Sequence, residues 1–398
     1  MGHAFGSGRH GRREPAIQAG GLRLQAGGRF QRIGRALLLT LAVFGAALAG
    51  GLLAGPAQAQ RQTPPELQQS PTGGHVPGDA LGTASDADLW RAVRGGVSGT
   101  VNIPDKKAAL LIQSQGDNWR AFRNGPLSTY GAWALLGTVI ILALFFALRG
   151  RIMIEKGPAG VTITRFSWIE RTGHWLVGVS FIVLAVTGLN LLYGRYVLKP
   201  VIGADAFALI THWGKYAHNY LAFAFIAGLV MIFVMWVSHN IPSRIDIAWI
   251  LKAGGLFSKN VHPDSRKFNA GQKIIFWAVI VGGVSVAVSG WALLFPFTTH
   301  LFSGTFEVVN AIFGTSLPTN LAPIHEQQLA QGWHAILALL LTCVILAHIY
   351  IGSVGMEGAF DAMGSGEVDL NWAKEHHNLW VEEVQEREAG RAEAQPAE

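Results

Sequence analysis

WHAILALLLTCVILAHIYI, residues 333–351, contains no charged side chain and is long enough to cross about 30 Å of hydrocarbon as one helix. His334 and His348 stand fourteen positions apart within it. At 1.5 Å and 100° per residue, that spacing separates them by about 21 Å along the axis and returns them to nearly the same face. One helix can therefore serve two centres, one near each membrane surface. Ionisable groups at such depths are costly, so their presence requires a function.

Composition sets the class. Half of the 398 residues are hydrophobic and 14% are charged, which describes an integral membrane protein. The net charge of +6 comes from basic residues placed beside apolar runs, not along one amphipathic face, so nucleic-acid binding is excluded. Cys343 is the single cysteine, and the chain alone forms no disulfide, cysteine-ligated cluster or covalent C-x-x-C-H haem. Any redox metal must rest on histidine.

Four further apolar runs lie at residues 130–148, 174–192, 218–237 and 274–297. Lysine plus arginine number five in residues 149–171, three in 193–216, six in 239–273 and none in 298–331. The positive-inside tendency makes the first and third of these connections cytoplasmic and puts the amino-terminal segment outside. Residues 1–59 agree, because Arg29, Arg32 and Arg35 precede an apolar stretch that ends in Ala57-Gln58-Ala59. This reads as a signal peptide cleaved after Ala59, or as an uncleaved anchor. Residues 60–128 open as a proline-rich linker and continue with Trp90 and Trp119 in a segment too small for its own core, expected to fold against a partner.

This topology sorts the histidines. His174 opens a span from the cytoplasmic side and His218 opens the next from outside, while His334 is external and His348 cytoplasmic. Two pairs result, His174 with His348 and His218 with His334, each drawn from two helices. Two axial imidazoles are what a haem held between helices of a bundle needs, and they leave no open iron site, so the chemistry is electron transfer. A single histidine near a span end is more often interfacial; the match by depth favours ligation. His212, His239, His262, His300, His325, His376 and His377 fall in loops or the tail, and His239, before Asn240-Ile241-Pro242, reads as a helix end. Gly178, Gly188, Gly282, Gly283, Ser285, Ser289 and Gly290 allow either close helix packing or room for a macrocycle.

From 165 to 380 the chain resembles the cytochrome b (gamma) subunit of membrane-bound, quinone-linked formate dehydrogenase. The resemblance is carried by Gly173-His174-Trp175, His218, His239-Asn240-Ile241-Pro242, Phe268-Asn269-Ala270-Gly271-Gln272-Lys273, the His334/His348 pair and Trp372-Ala373-Lys374-Glu375-His376-His377. It implies an all-α integral membrane protein, a four-helix dihaem cytochrome b bundle at 150–354 with one additional transmembrane helix at 129–149, and a cytoplasmic tail at 355–398. Residues 60–150 are similar to the added segment of longer members. His218 and His334 would hold an outer haem b, and His174 and His348 an inner one. Asn269, Gly271 and Gln272 would line a quinone pocket beside the inner haem, although a helix-start turn explains them equally well.

The implied role is a relay in the bacterial inner membrane. Partners outside, an iron–sulfur subunit and a molybdenum or tungsten catalytic subunit, oxidise formate and pass electrons inward to quinone. This chain performs no formate chemistry itself. The competing readings are the cytochrome b of a nickel–iron hydrogenase or thiosulfate reductase and a haem-free anchor or transporter. An external binding module would need more than residues 60–128.

Overall fold

The computed structural model describes residues 99–100, 110–112, 115–258 and 260–394. The expected signal segment and most of the linker lie outside them. After a short antiparallel pair, β1 (Gly99–Thr100) and β2 (Leu110–Ile112), the chain is helical: α1 (Gln115–Phe122), a π turn (Arg123–Leu127) and α2 (Ser128–Arg149). Then come β3 (Thr162–Thr164), α3 (Trp168–Val197), α4 (Lys199–Ile202), α5 (Ala204–Trp236), α6 (Arg244–Leu251), α7 (Ala270–Leu294), α8 (Leu301–Phe313) and α9 (Pro323–Tyr350). A second π turn (Ile351–Gly355), α10 (Asp361–Gly364), β4 (Glu367–Asp369), α11 (Leu370–His376) and α12 (Asn378–Ala394) follow.

Five helices among the described residues are long and apolar enough to cross a membrane, and their most apolar windows are only 11–28% buried. An apolar surface left uncovered over that length suits lipid, not water. The helices also outrun the apolar runs read from the sequence. Ser167 and Glu170 form a capping box that starts α3 six residues before His174. Pro323 in the first turn of α9 starts that helix well before Trp333. His212 in α5 and His325 in α9 are consequently helical, which corrects their placement in loops. Glu170, Arg171 and Asp205 lie in the first turns of α3 and α5, while Lys215 lies about three turns into α5.

Packing runs α3 on α5, α5 on α7, α7 on α9 and α9 on α2, while α9 only grazes α3. Close approach is made by glycine. A Cβ on Gly228 would stand 2.8 Å from the Val177 backbone nitrogen, so α3 and α5 meet backbone to backbone there. Gly282 receives Leu341 and Gly283 receives Leu229, which makes these two packing glycines. Helix α2 lies over Tyr193 and Leu339, and the Tyr193 hydroxyl donates to the Ser128 carbonyl at 2.9 Å.

The two most basic connections and the tail meet at one end of the bundle. β3 pairs with β4 in antiparallel register, Ile163 opposite Val368. The Glu375 carboxylate accepts the backbone N–H groups of Glu155 and Lys156 at 3.1 Å each. Asn378 donates to Asp264 at 2.7 Å, and the His377 Nδ1 sits 2.8 Å from the Arg266 carbonyl. The other end carries α8, whose first turn donates backbone N–H groups of Phe302 and Ser303 to the buried Glu326 carboxylate at 2.8 Å.

Candidate haem sites

The four span histidines meet in the expected pairs. The rings of His174 on α3 and His348 on α9 have centroids 6.0 Å apart, and those of His218 on α5 and His334 on α9 are 6.2 Å apart. Both pairs show an interplanar angle of 61°. A centroid separation of about 6 Å is what two imidazoles sharing one metal at about 2 Å would require. Among the described residues, no group of three or more His, Cys, Asp or Glu side chains forms a metal site, so a macrocycle would have to supply the other ligands. All four rings are half-buried.

Outer-pair surroundings were not anticipated from the sequence. The Thr187 hydroxyl lies 2.9 Å from His218 Nδ1 and donates its own proton to the Val183 carbonyl at 2.7 Å. The Ser289 hydroxyl lies 3.1 Å from His334 Nδ1 and donates to the Ser285 carbonyl at 2.9 Å. A hydroxyl whose proton is spent on its own helix can only accept from the ring, so each Nδ1 carries the hydrogen and each Nε2 keeps its lone pair. That is the neutral tautomer a metal needs. Gly188 and Gly290 flank the same rings, 3.6 and 3.3 Å from the ring Cε1 atoms when a Cβ is built on them, whereas Gly178 meets nothing within 4 Å. In the inner pair, His174 Nδ1 is buried without a hydrogen-bond partner, and Trp236 stands 6.5 Å from its ring.

Asn269, Gly271 and Gln272 come together at the start of α7. Asn269 Oδ1 accepts the Gln272 N–H at 2.9 Å and Gln272 Oε1 accepts the Asn269 N–H at 3.1 Å, a reciprocal capping box. Gly271 leaves the Trp249 ring room, since a Cβ would lie 3.0 Å from it. Behind this turn sits Arg165, 3% exposed, with Nη2 donating to the Lys267 carbonyl at 2.6 Å. Its guanidinium lies over the rings of Phe166, Trp372 and Trp380 at 5.2–5.4 Å. Burial lowers its pKa to about 9, and it remains a cation at neutral pH. Burial likewise pushes His376 down to about 4, helped by the charges of His262 and Arg165, and holds His377 well below its ordinary value. The sequence marked His376 and His377 only as tail residues; nothing local announces that the tail folds back under the bundle.

Fold and site together define a class: an integral membrane helical bundle that presents paired imidazoles at two depths of one helix. The family profile described as prokaryotic cytochrome b561 matches residues 165–366, half of the chain, and the chain belongs to that family. Membership implies haem b. The chain is 27% identical over 230 residues to the formate dehydrogenase, nitrate-inducible, cytochrome b556(Fdn) subunit of Escherichia coli K12, covering 57% of this chain and 94% of that one. It is 29% identical over 233 residues to the formate dehydrogenase, cytochrome b556(fdo) subunit of the same strain, covering 58% and 98%. The formate dehydrogenase, cytochrome b556 subunit of Haemophilus influenzae is 26% identical over 224 residues, covering 56% and 83%.

Proposed function

We propose that this chain is the membrane-anchoring dihaem cytochrome b subunit of a formate dehydrogenase complex in the bacterial cytoplasmic membrane. It takes electrons from a periplasmic iron–sulfur subunit, which serves a molybdenum or tungsten catalytic subunit, and delivers them to quinone on the cytoplasmic side. Support comes from the relatives, named formate dehydrogenase cytochrome b556 subunits and matched over 94% and 98% of their own length. The observation that carries the reading is the pair of imidazole couples placed fourteen residues apart on α9.

In this reading His174 and His348 hold the inner haem and His218 and His334 the outer one. Bound haem b supplies reversible one-electron transfer. The chain's own residues orient the imidazoles and set the spacing of about 21 Å along α9. Asn269, Gly271 and Gln272 form the quinone-facing turn. The Asn269 and Gln272 amide oxygens are engaged in the capping box, which leaves their side-chain amide nitrogens as donors to a quinone carbonyl. Residues 149–171 and 239–273, rich in lysine and arginine, and the acidic tail gathered with them at one end face the cytoplasm, so protons for quinone reduction enter there. Residues 1–59 act as the signal segment, 60–128 as a periplasmic partner-contacting segment, 129–149 as the added span, 150–354 as the dihaem domain and 355–398 as the cytoplasmic tail.

Haem quantitation with a dithionite-reduced visible spectrum tests this. Two b haems per chain are expected, with His218→Ala and His348→Ala each removing about one. A stoichiometry of one, or no effect of either substitution, would defeat the pairing.

A further inference from the structure

Both outer imidazoles are served by the same two-residue device, each time from the neighbouring helix. Thr187-Gly188 on α3 faces His218 on α5, and Ser289-Gly290 on α7 faces His334 on α9. In each case the hydroxyl donates backward to its own helix and accepts from Nδ1, while the following glycine leaves the ring edge clear. Each hydroxyl also has a second carbonyl of its own helix within reach, Leu184 for Thr187 and Val286 for Ser289, both at 3.1 Å. The inner pair has no counterpart at His174, whose Nδ1 is buried without a hydrogen-bond partner.

We propose that Thr187 and Ser289 are positioning residues that fix both outer imidazoles as Nδ1–H tautomers and lower the reduction potential of the outer haem below that of the inner one. The inference rests on the haem ligation stated above. An Nδ1–H that is hydrogen-bonded gives the ring partial imidazolate character, which favours ferric over ferrous iron, and the hydrogen-bonding shell of a metal ligand is a recognised control of its potential. At His174 the ring lacks that donation. The four-helix core thus builds a downhill step into the relay, with the electron-entry haem the stronger reductant. No residue at this site needs to change charge for the effect to operate.

The test is a spectroelectrochemical titration of the two b haems in the purified complex. The outer haem's midpoint is identified as the one missing in His218→Ala. Thr187→Val and Ser289→Ala are each expected to shift that midpoint upward, the double variant further, and Thr187→Ser to restore it. Haem content should stay at two, because His218 and His334 themselves are unchanged. Thr342→Val, which removes a hydroxyl that donates to the Ala338 carbonyl on α9, controls for the loss of any helix-bonded hydroxyl and should leave both midpoints in place. Midpoints unmoved in the double variant, or both haems moving together, would overturn the proposal. If Thr187→Val fails to accumulate, Ser289→Ala poses the same question from the opposite ring. A haem count of one in the parent complex would instead strike at the ligation.

Discussion

His376 shows what a single side chain takes from its surroundings. It is held near pH 4 by burial first and by the His262 and Arg165 charges next, against an ordinary value of 6.5. Between those two values the unfolded chain binds the proton and the folded chain does not, so stability is complete above about 6.5 and falls as the pH drops toward 4. Each such group contributes at most about 1.4 kcal/mol per pH unit. His377, depressed in the same direction, adds to the slope. The Glu155 carboxylate, lowered by the Asn260 backbone N–H and by His262, loses its contribution only as the pH falls below its ordinary 4.5. Thermal unfolding in detergent should therefore show a lower midpoint at pH 5 than at pH 7, and His376→Asn should flatten part of the difference. Identical midpoints at the two pH values would contradict the burial of the tail histidines.

Among the elements, the decisive contact is α3 against α5. Gly228 allows it, because any Cβ there would press on the Val177 backbone at 2.8–3.0 Å, and backbone cannot move aside as a flexible side chain can. Gly228→Leu is expected to destabilise by about 1–3 kcal/mol, the usual range for overpacking, and to loosen the His174 and His218 rings from α9. Gly178→Leu, on the same helix pair but with nothing within 4 Å, should change the melting temperature little. Equal effects at the two positions would mean that the helices part more easily than this packing implies. The capping boxes work at the same scale. Ser167 with Glu170 and Asn269 with Gln272 set where α3 and α7 begin, and hence the height of His174 on the first and of Ser289 on the second.

For the molecule as a whole, α2 precedes the residues 165–366 that the family profile matches, and we propose that it is an addition laid on the dihaem core. The relatives align over 94% and 98% of their own length with 57% and 58% of this chain. A chain beginning at residue 150 is expected to keep both haems and to lose about 1 kcal/mol of stability, chiefly the Tyr193–Ser128 hydrogen bond. The face of α9 uncovered by the truncation meets lipid and not water, so no large hydrophobic penalty follows. Loss of one haem on truncation would make α2 part of the ligand scaffold. Much of this architecture was legible in the order of residues. The five spans follow from apolar runs that match the bilayer and the spacing of His334 and His348 from the rise per residue, whereas the earlier starts of α3 and α9 appear only in the structure. The hydroxyls of Thr187 and Ser289, the aromatic cage around Arg165 and the burial of His377 could not be read that way. Helices that are apolar on every side carry no stripe to mark which face turns inward, so their rotation, and with it each neighbour of each imidazole, is decided only when the bundle packs.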